Sequence, residues 1–145
     1  EILNANKRMA DKALRVLACA QRVWEKLPDS FEPELLEEKL YVIESDGIHG
    51  VFFFTIGEDP TYGVIEDGSW LSDAPYGTIH RIAGDGAGGI VGTAVKFAKT
   101  KIAHLRIDTH HNNKVMQHVV EKHGFSRRGI IYIADGSPRI AYERT

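Results

Sequence analysis

A glycine-rich segment between a predicted strand and a predicted helix constrains this chain more than any other feature. Five glycines fall within the nine residues from Gly84 to Gly92, and Gly84–Gly89 (GDGAGG) matches the pattern G-x-G-x-x-G. Small residues allow backbone N–H groups to approach phosphates, and a helix N-terminus adds unpaired donors and a positive dipole. The segment therefore predicts a site for the diphosphate of a nucleotide cofactor.

Two other interpretations of this segment stay open from the residues alone. In a dinucleotide-binding unit an acidic residue follows the glycines by about 20 residues, and Asp108 ends the next predicted strand there. Such a unit normally opens a parallel sheet, whereas here about 80 residues with an antiparallel pattern precede it. The segment also lacks lysine and arginine, which is compatible with a surface loop that binds nothing.

The rest of the chain alternates between helix and strand patterns. The pattern predicts helices over Asp11–Leu27 and Pro33–Lys39, followed by strands over Leu40–Ser45, Ile48–Gly57 and Tyr62–Glu66. The glycine segment lies between a strand over Gly77–Ala83 and a helix from Ile90 to Thr100. After it come a strand over Ala103–Thr109, a helix from Asn112 or Asn113 to His123, and a hairpin of Phe125–Ala134 with Arg139–Arg144. This order predicts one domain over residues 1–145, with a mixed sheet in an α/β (α+β) fold.

Composition narrows the class of protein. A formal charge of −2 argues against nucleic acid as a partner, and the absence of an apolar run of about 18 residues argues against a membrane span. The single cysteine, Cys19, excludes an intrachain disulfide and favours a reducing, cytoplasmic location. Because the chain opens at Glu1 without a methionine, we expect a few native residues to be missing or processed.

The seven histidines do not form a pattern that predicts a metal site. Adjacent His110 and His111 at the end of a strand point to opposite sides, and no H-E-x-x-H pair occurs on a helix. We therefore expect no bound metal. His104, His118 and His123 are expected at the surface or at helix ends.

A series of motifs resembles the GNAT superfamily of N-acetyltransferases, and in particular a subgroup of small bacterial members. The motifs are HRIA, LRIDTH, NKVMQ, EKxGF, GIIY and DGSPRIAYE, at His80–Ala83, Leu105–His110, Asn113–Gln117, Glu121–Phe125, Gly129–Tyr132 and Asp135–Glu143. The resemblance implies a mostly antiparallel sheet with one splayed strand and helices on both faces. It also implies acetyl-CoA as cofactor, a small-molecule or peptide primary amine as acceptor, and C-terminal strands that pair between two copies in a homodimer.

The resemblance also assigns roles to individual residues. His80 becomes the leading candidate for the base, a packed strand histidine being the competing interpretation, and Tyr76, Asp108 and His110 are further candidates. The residues implied at the cofactor are Arg81, Ile82 and Ala83 along its arm, Gly88, Gly89, Ile90, Val91, Gly92 and Thr93 at the diphosphate, and Asn113 at the next helix. The residues implied at the acceptor pocket are Tyr62, Trp70 and Tyr76.

The sequence departs from the family pattern at two places. The phosphate motif Q/R-x-x-G-x-G/A is matched only in part, because Gly86 stands in place of Gln/Arg in the register that fits Gly89. Many members carry a tyrosine acid four residues before the Gly-Phe pair, where this chain has Val120. Tyr132 or water is then the expected proton source. These departures keep open a non-catalytic CoA-binding or sensor domain and, less favoured, an NAD-type dinucleotide-binding protein.

Overall fold

The computed structural model describes residues 39–145. The predicted helix over Asp11–Leu27, its Cys19, and the predicted helix from Pro33 up to Glu38 lie outside the described residues. The elements within 39–145 are the strands β1 (Leu40–Glu44), β2 (Ile48–Ile56), β3 (Gly77–Gly84), β4 (Leu105–Thr109), β5 (Ser126–Tyr132) and β6 (Pro138–Arg144) and the helices α1 (Ile90–Lys99) and α2 (Lys114–Lys122). The predicted elements in this part of the chain are confirmed to within a few residues, with one exception given below.

The described chain divides into two compact units, and the first comprises residues 39–54 and 80–94. Its hairpin pairs β1 with β2 in antiparallel register, from Leu40 opposite Phe53 to Glu44 opposite Ile48. The turn between them places Gly47 at φ 135°, a region that favours glycine, as the Asp46-Gly47 pair predicts. The triplet Phe52–Phe54 is buried throughout, so this part of β2 is covered on both faces.

The second unit comprises residues 55–79 and 95–145. Parallel pairing joins the first two residues of β3 and β4, with Gly77 opposite Leu105 and Thr78 opposite Arg106. Strand β6 pairs antiparallel with β4 and with β5. The core of this unit includes Tyr62, Tyr76, Ile131 and Ala141.

The strand order of the six-stranded sheet is β1-β2-β3-β4-β6-β5. Of the strand pairs with a defined register in residues 39–145, three are antiparallel and only β3–β4 is parallel. A doubly wound dinucleotide-binding sheet is parallel across its core strands. The sheet therefore contradicts the NAD-type alternative and confirms a mixed sheet of the α+β class.

The predicted strand over Tyr62–Glu66 is wrong. Residues Pro60–Tyr62 form a short 3-10 helix, which Asp59 caps by accepting a hydrogen bond from the Thr61 N–H at 2.9 Å. Proline at the start of this turn presets a helical φ. Only Glu66 forms a bridge, with two backbone hydrogen bonds of 2.8 Å to Ile130 on the edge strand β5.

Local signals at helix α2 act as the sequence predicts. The Asn113 side chain accepts a hydrogen bond from the Met116 N–H at 3.0 Å and so caps the first turn. Gly124 follows the helix at φ 86°, the left-handed conformation that commonly ends a helix. Neither helix in residues 39–145 has the length and apolar content that crossing a membrane requires.

Candidate functional site

The glycine segment lies in the first unit and has the conformation that its composition requires. Gly86, Gly88 and Gly89 adopt φ values of 91°, 87° and 77°. Side chains rarely tolerate these values, so glycine is needed at each position. A Cβ added at Gly88 or Gly89 would meet no atom within 4 Å. The loop therefore presents exposed backbone with open space beside it.

Helix α1 begins directly after these glycines. The Gly89 carbonyl accepts hydrogen bonds from the Thr93 N–H at 3.0 Å and the Thr93 hydroxyl at 3.1 Å. This pattern starts the helix at Gly89, and helix geometry leaves the N–H groups of Ile90, Val91 and Gly92 without intrahelical acceptors. Such N–H groups, together with the helix dipole, favour an anion at this end.

Close packing fixes the base of the loop. A Cβ at Gly50 on β2 would lie 2.8 Å from both the Ala83 carbonyl oxygen and Ile90 Cδ1, and a Cβ at Gly84 would lie 2.7 Å from Ile90 Cγ1. Both distances are shorter than real Cβ atoms tolerate. Ile90 therefore fills the space that these two glycines leave, and the helix start is held against the strands.

A side-chain hydrogen bond also joins the loop to β2. The His49 Nδ1 atom lies 2.9 Å from Asp85 Oδ2, and the Asp85 N–H donates to the His49 carbonyl at 2.9 Å. The second carboxylate oxygen, Oδ1, accepts from the Ala87 N–H at 2.9 Å. Asp85 thus ties the loop to the neighbouring strand and shapes its first turn. The sequence interpretation missed both residues, because they are separated by 36 positions.

Strand β3 carries the proposed base next to an irregular backbone position. Arg81 has φ 50°, which is uncommon for a residue with a side chain and marks a local break in a strand. The half-buried His80 ring packs on Phe53, with 6.0 Å between ring centroids. Ala83 is buried against Val51, whereas Ile82 stays half-buried.

The three aromatic residues predicted for the acceptor pocket pack together in the second unit. The Tyr62 ring lies 5.5 Å from Trp70 and 6.2 Å from Tyr76, centroid to centroid. Tyr62 and Tyr76 are buried, and Trp70 is half-buried. Tyr62 donates its hydroxyl to Asp108 at 2.8 Å. Burial, followed by the Asp108 charge, raises the pKa of Tyr62 well above its usual value.

A buried charge network lies beside these rings. Glu143 is fully buried and accepts from His104 Nε2 at 2.6 Å, from Arg106 Nε at 3.1 Å and from the Leu71 N–H. The expectation of an exposed or helix-end His104 is therefore wrong, since its side chain is 9% exposed and bonds a carboxylate.

Arg106 holds the segment before β3 in place. Its guanidinium lies between two rings, 4.0 Å from the centroid of Trp70 and 3.9 Å from that of Tyr76. Its Nη2 atom donates to the Ser72 carbonyl at 2.7 Å. The aromatic faces therefore already contact a cation of the chain itself. Arg106 between Leu105 and Ile107 in β4, and Glu143 directly after Ile140–Tyr142 in β6, are charged residues next to buried positions, and they were the sequence signal for this network.

The predicted proton source Tyr132 and Val120, at the position of the usual family tyrosine, both lie in the second unit. Tyr132 is on the edge strand β5, with β6 and β4 between that strand and β3, and is 45% exposed. Its hydroxyl donates to Glu66 Oε2 at 2.8 Å, and this hydrogen bond raises the pKa of Tyr132. Val120 is fully buried in α2. In the described part of the chain no cluster of three or more His, Cys, Asp or Glu side chains is suited to a metal ion.

The strand order and element order define an α+β protein with the fold of the GNAT acyltransferases. Similar solved structures include a GNAT-family acetyltransferase from Streptococcus agalactiae, at 28% identity and TM-score 0.65, over 99% of this chain and 84% of that one. Another is an N-acetyltransferase from Staphylococcus aureus Mu50, at 17% identity and TM-score 0.55, over 99% and 93%. The resemblance to the GNAT superfamily that the motifs predict is thereby confirmed, while the subgroup stays a prediction.

Neither a protein-family model nor a curated protein sequence matches this chain.

Proposed function

We propose that this protein is an acetyl-CoA-dependent N-acetyltransferase that transfers the acetyl group directly to a small-molecule or peptide primary amine. The observation that carries the proposal is the loop of left-handed glycines that opens helix α1 within a GNAT fold. The backbone there offers donors at Ile90, Val91 and Gly92, and the space beside Gly88 and Gly89 is open.

These residues fit a diphosphate through backbone rather than through charge. From Gly84 to Val95 the one charged residue is Asp85, so the chain supplies helix N–H groups instead of lysine or arginine. The Thr93 N–H and hydroxyl already bond Gly89, so their proposed part is to hold the helix start in place. We further propose that the backbone of Arg81, Ile82 and Ala83 borders the cofactor arm, as the resemblance implies.

Catalysis then requires positioning and proton removal. The bound cofactor would supply the acetyl group as an activated thioester. His80 is proposed to accept the ammonium proton of the acceptor, because histidine exchanges protons near neutral pH and this side chain is half-buried on β3. The Tyr132 hydroxyl is exposed and bonded to Glu66, so we propose water as the proton source for the thiolate.

We also propose roles for Asn113 at the cofactor and for three aromatic residues at the acceptor pocket. Asn113 uses its side-chain oxygen to cap α2, which leaves its amide N–H₂ group for a cofactor contact. Tyr62 and Tyr76 are buried, so we propose that they support the acceptor pocket from beneath, and that Trp70, which is half-buried, is the one of these three aromatic residues that faces the acceptor.

The first test is binding. Isothermal titration with CoA and acetyl-CoA should give saturable heat, and substitution of Gly89 by valine should weaken both ligands because φ 77° excludes a branched side chain. Absence of heat and of a thermal shift at millimolar ligand would refute the cofactor assignment.

The second test is turnover across a panel of amines. His80→Gln should lower kcat by about 10²- to 10⁴-fold while leaving the affinity for CoA within about twofold.

A second candidate function is a CoA-binding or sensor domain without catalysis. The buried Val120 favours it, because many GNAT enzymes place a tyrosine acid at that position and valine offers no proton. CoA binding without release of free thiol from acetyl-CoA across the amine panel would support this candidate. Thiol release that depends on His80 would exclude it.

A further inference from the structure

The contact between His49 on β2 and Asp85 in the glycine loop bears on the charge of the proposed cofactor site. Asp85 is the one charged residue from Gly84 to Val95, and its negative charge has the same sign as that of a diphosphate and therefore repels it. The His49 Nδ1 atom lies 2.9 Å from Asp85 Oδ2, so a protonated His49 would offset this charge. The His49 side chain is 36% exposed, so it exchanges protons with solvent.

Asp85 cannot simply be regarded as an unfavourable residue, because it also shapes the loop. Its Oδ1 atom accepts from the Ala87 N–H at 2.9 Å, and Gly86 between them adopts φ 91°. The backbone N–H of Asp85 is bonded to the His49 carbonyl as well. A carboxylate here fixes the turn, and the turn sets the direction of the N–H groups that follow.

We propose that His49 is a positioning and charge-compensating residue of the cofactor loop: it holds the Asp85 carboxylate in the turn and cancels its charge toward the diphosphate. The proposal rests on the function proposed above. It predicts that the contribution of His49 to CoA affinity depends on its protonation, whereas a purely structural contact would contribute equally at every pH.

The chain permits a matched set of variants. In His49→Asn the side-chain Nδ2 occupies nearly the position of the histidine Nδ1 and can donate to Asp85, but it cannot carry a charge. In Asp85→Asn the amide oxygen can still accept from the Ala87 N–H, and the amide N–H₂ can donate to a neutral His49. The two substitutions thus change charge while keeping the hydrogen bonds. Their combination completes a double-mutant cycle.

The measurement is CoA affinity by titration calorimetry at about pH 5.5 and pH 8.5, values that bracket the usual titration range of histidine. We expect His49→Asn to weaken CoA binding about three- to tenfold at the lower pH and to have little effect at the higher pH. Asp85→Asn alone should bind CoA at least as tightly as the wild type. The double variant should recover the affinity lost in His49→Asn, because no carboxylate remains to be compensated.

Other ionisable groups of the same unit must be held constant in this comparison. Within residues 39–54 and 80–94 they are Lys39, Tyr41, Glu44, Asp46, His80 and Arg81, with Glu44 on the strand paired with β2 and Asp46 in the turn that leads into it. The phosphates of CoA also titrate. Because all of these groups are present in every variant, the ratio of dissociation constants at each pH isolates the His49–Asp85 pair.

A cofactor fragment separates the effect on the diphosphate from a general effect on the site. With S-acetyl-pantetheine, which lacks the diphosphate, kcat/KM should be the same in wild type and in all three variants. A His49→Asn defect that is independent of pH, that extends to S-acetyl-pantetheine, or that Asp85→Asn fails to rescue would overturn the inference. Failure of the wild type to bind CoA would instead refute the proposed function, so the two failures are distinguishable.

Discussion

Removal of the buried carboxylate of Glu143 should be among the most damaging single substitutions in the described chain. Glu143 is fully buried and bonds Arg106, His104 and the Leu71 N–H, and Arg128 Nε lies 3.9 Å from it. Removing one member of a buried ion pair typically costs about 3–5 kcal/mol, because the remaining charge stays buried without its partner.

The structure places the expected cost at the lower end of that range. After Glu143→Ala, Arg106 would keep its hydrogen bond to the Ser72 carbonyl and its position between the rings of Trp70 and Tyr76. We therefore expect a loss of about 3 kcal/mol in the free energy of unfolding for Glu143→Ala. Glu143→Gln should cost about 2 kcal/mol, since an amide can still accept the Leu71 N–H but no longer carries the charge.

The assay is equilibrium unfolding in urea, followed by circular dichroism, with Glu58→Ala as the control. Glu58 is exposed, and its removal should change the free energy of unfolding by less than about 0.5 kcal/mol. Hydrogen exchange of the Leu71 amide should accelerate in both Glu143 variants, because its acceptor is removed or weakened. A cost below about 1 kcal/mol for Glu143→Ala would refute the inference that the network stabilises the fold.

A double variant tests the physical cause. In Arg106→Met with Glu143→Leu, both charges are replaced by apolar groups, and methionine can lie between the two rings. Replacement of a buried ion pair by apolar residues is often neutral or stabilising. The double variant should therefore be more stable than Glu143→Ala alone. If it is less stable, the cost arises from packing and not from an unpaired charge.

Three further predictions concern stability. Tyr62→Phe should lower the free energy of unfolding by about 1–3 kcal/mol near neutral pH. Because burial raises the pKa of Tyr62, the wild type should also lose up to about 1.4 kcal/mol of stability per pH unit above pH 10, whereas the variant should not. Urea unfolding at several pH values would show this difference, and equal slopes of stability against pH would contradict it. Gly68→Ala should be strongly destabilising in a thermal melt, since its Cβ would lie 1.8 Å from the Arg128 carbonyl oxygen, whereas Gly63→Ala, at φ −67° and 3.4 Å from its nearest neighbour, should be tolerated. Asn113→Ala should cost about 1 kcal/mol through loss of the helix cap, and a cost near zero in urea unfolding would show that the cap is not needed.

Local patterns predicted much of the fold because their causes are local. The apolar run Phe52–Phe54 indicates a strand covered on both faces, and Asn113 and Gly124 mark the two ends of α2, where a side-chain cap and a left-handed residue satisfy free backbone groups. Gly86, Gly88 and Gly89 of the loop adopt positive φ values, a conformation that glycine takes more readily than other residues. Each of these features depends on residues that are close together in the chain.

The segment between β2 and β3 shows where such patterns fail. The predicted strand at Tyr62–Glu66 is instead a 3-10 turn followed by one bridge, because Glu66 finds its backbone partners on the edge strand β5. The sequence around Tyr62 and Trp70 is equally compatible with core residues and with residues that line a binding pocket. Only the packing decides that Tyr62 is buried and bonded to Asp108.

The glycine segment by itself predicted a phosphate-compatible loop before a helix, and the motifs around it indicated the GNAT fold. The tertiary structure decided which side chains surround that loop and which charges are buried. His49 meets Asp85 across 36 residues, and Arg106 meets Glu143 because the register of β4 and β6 sets them opposite each other. Long-range pairs of this kind depend on strand order and register, which one segment of sequence does not contain.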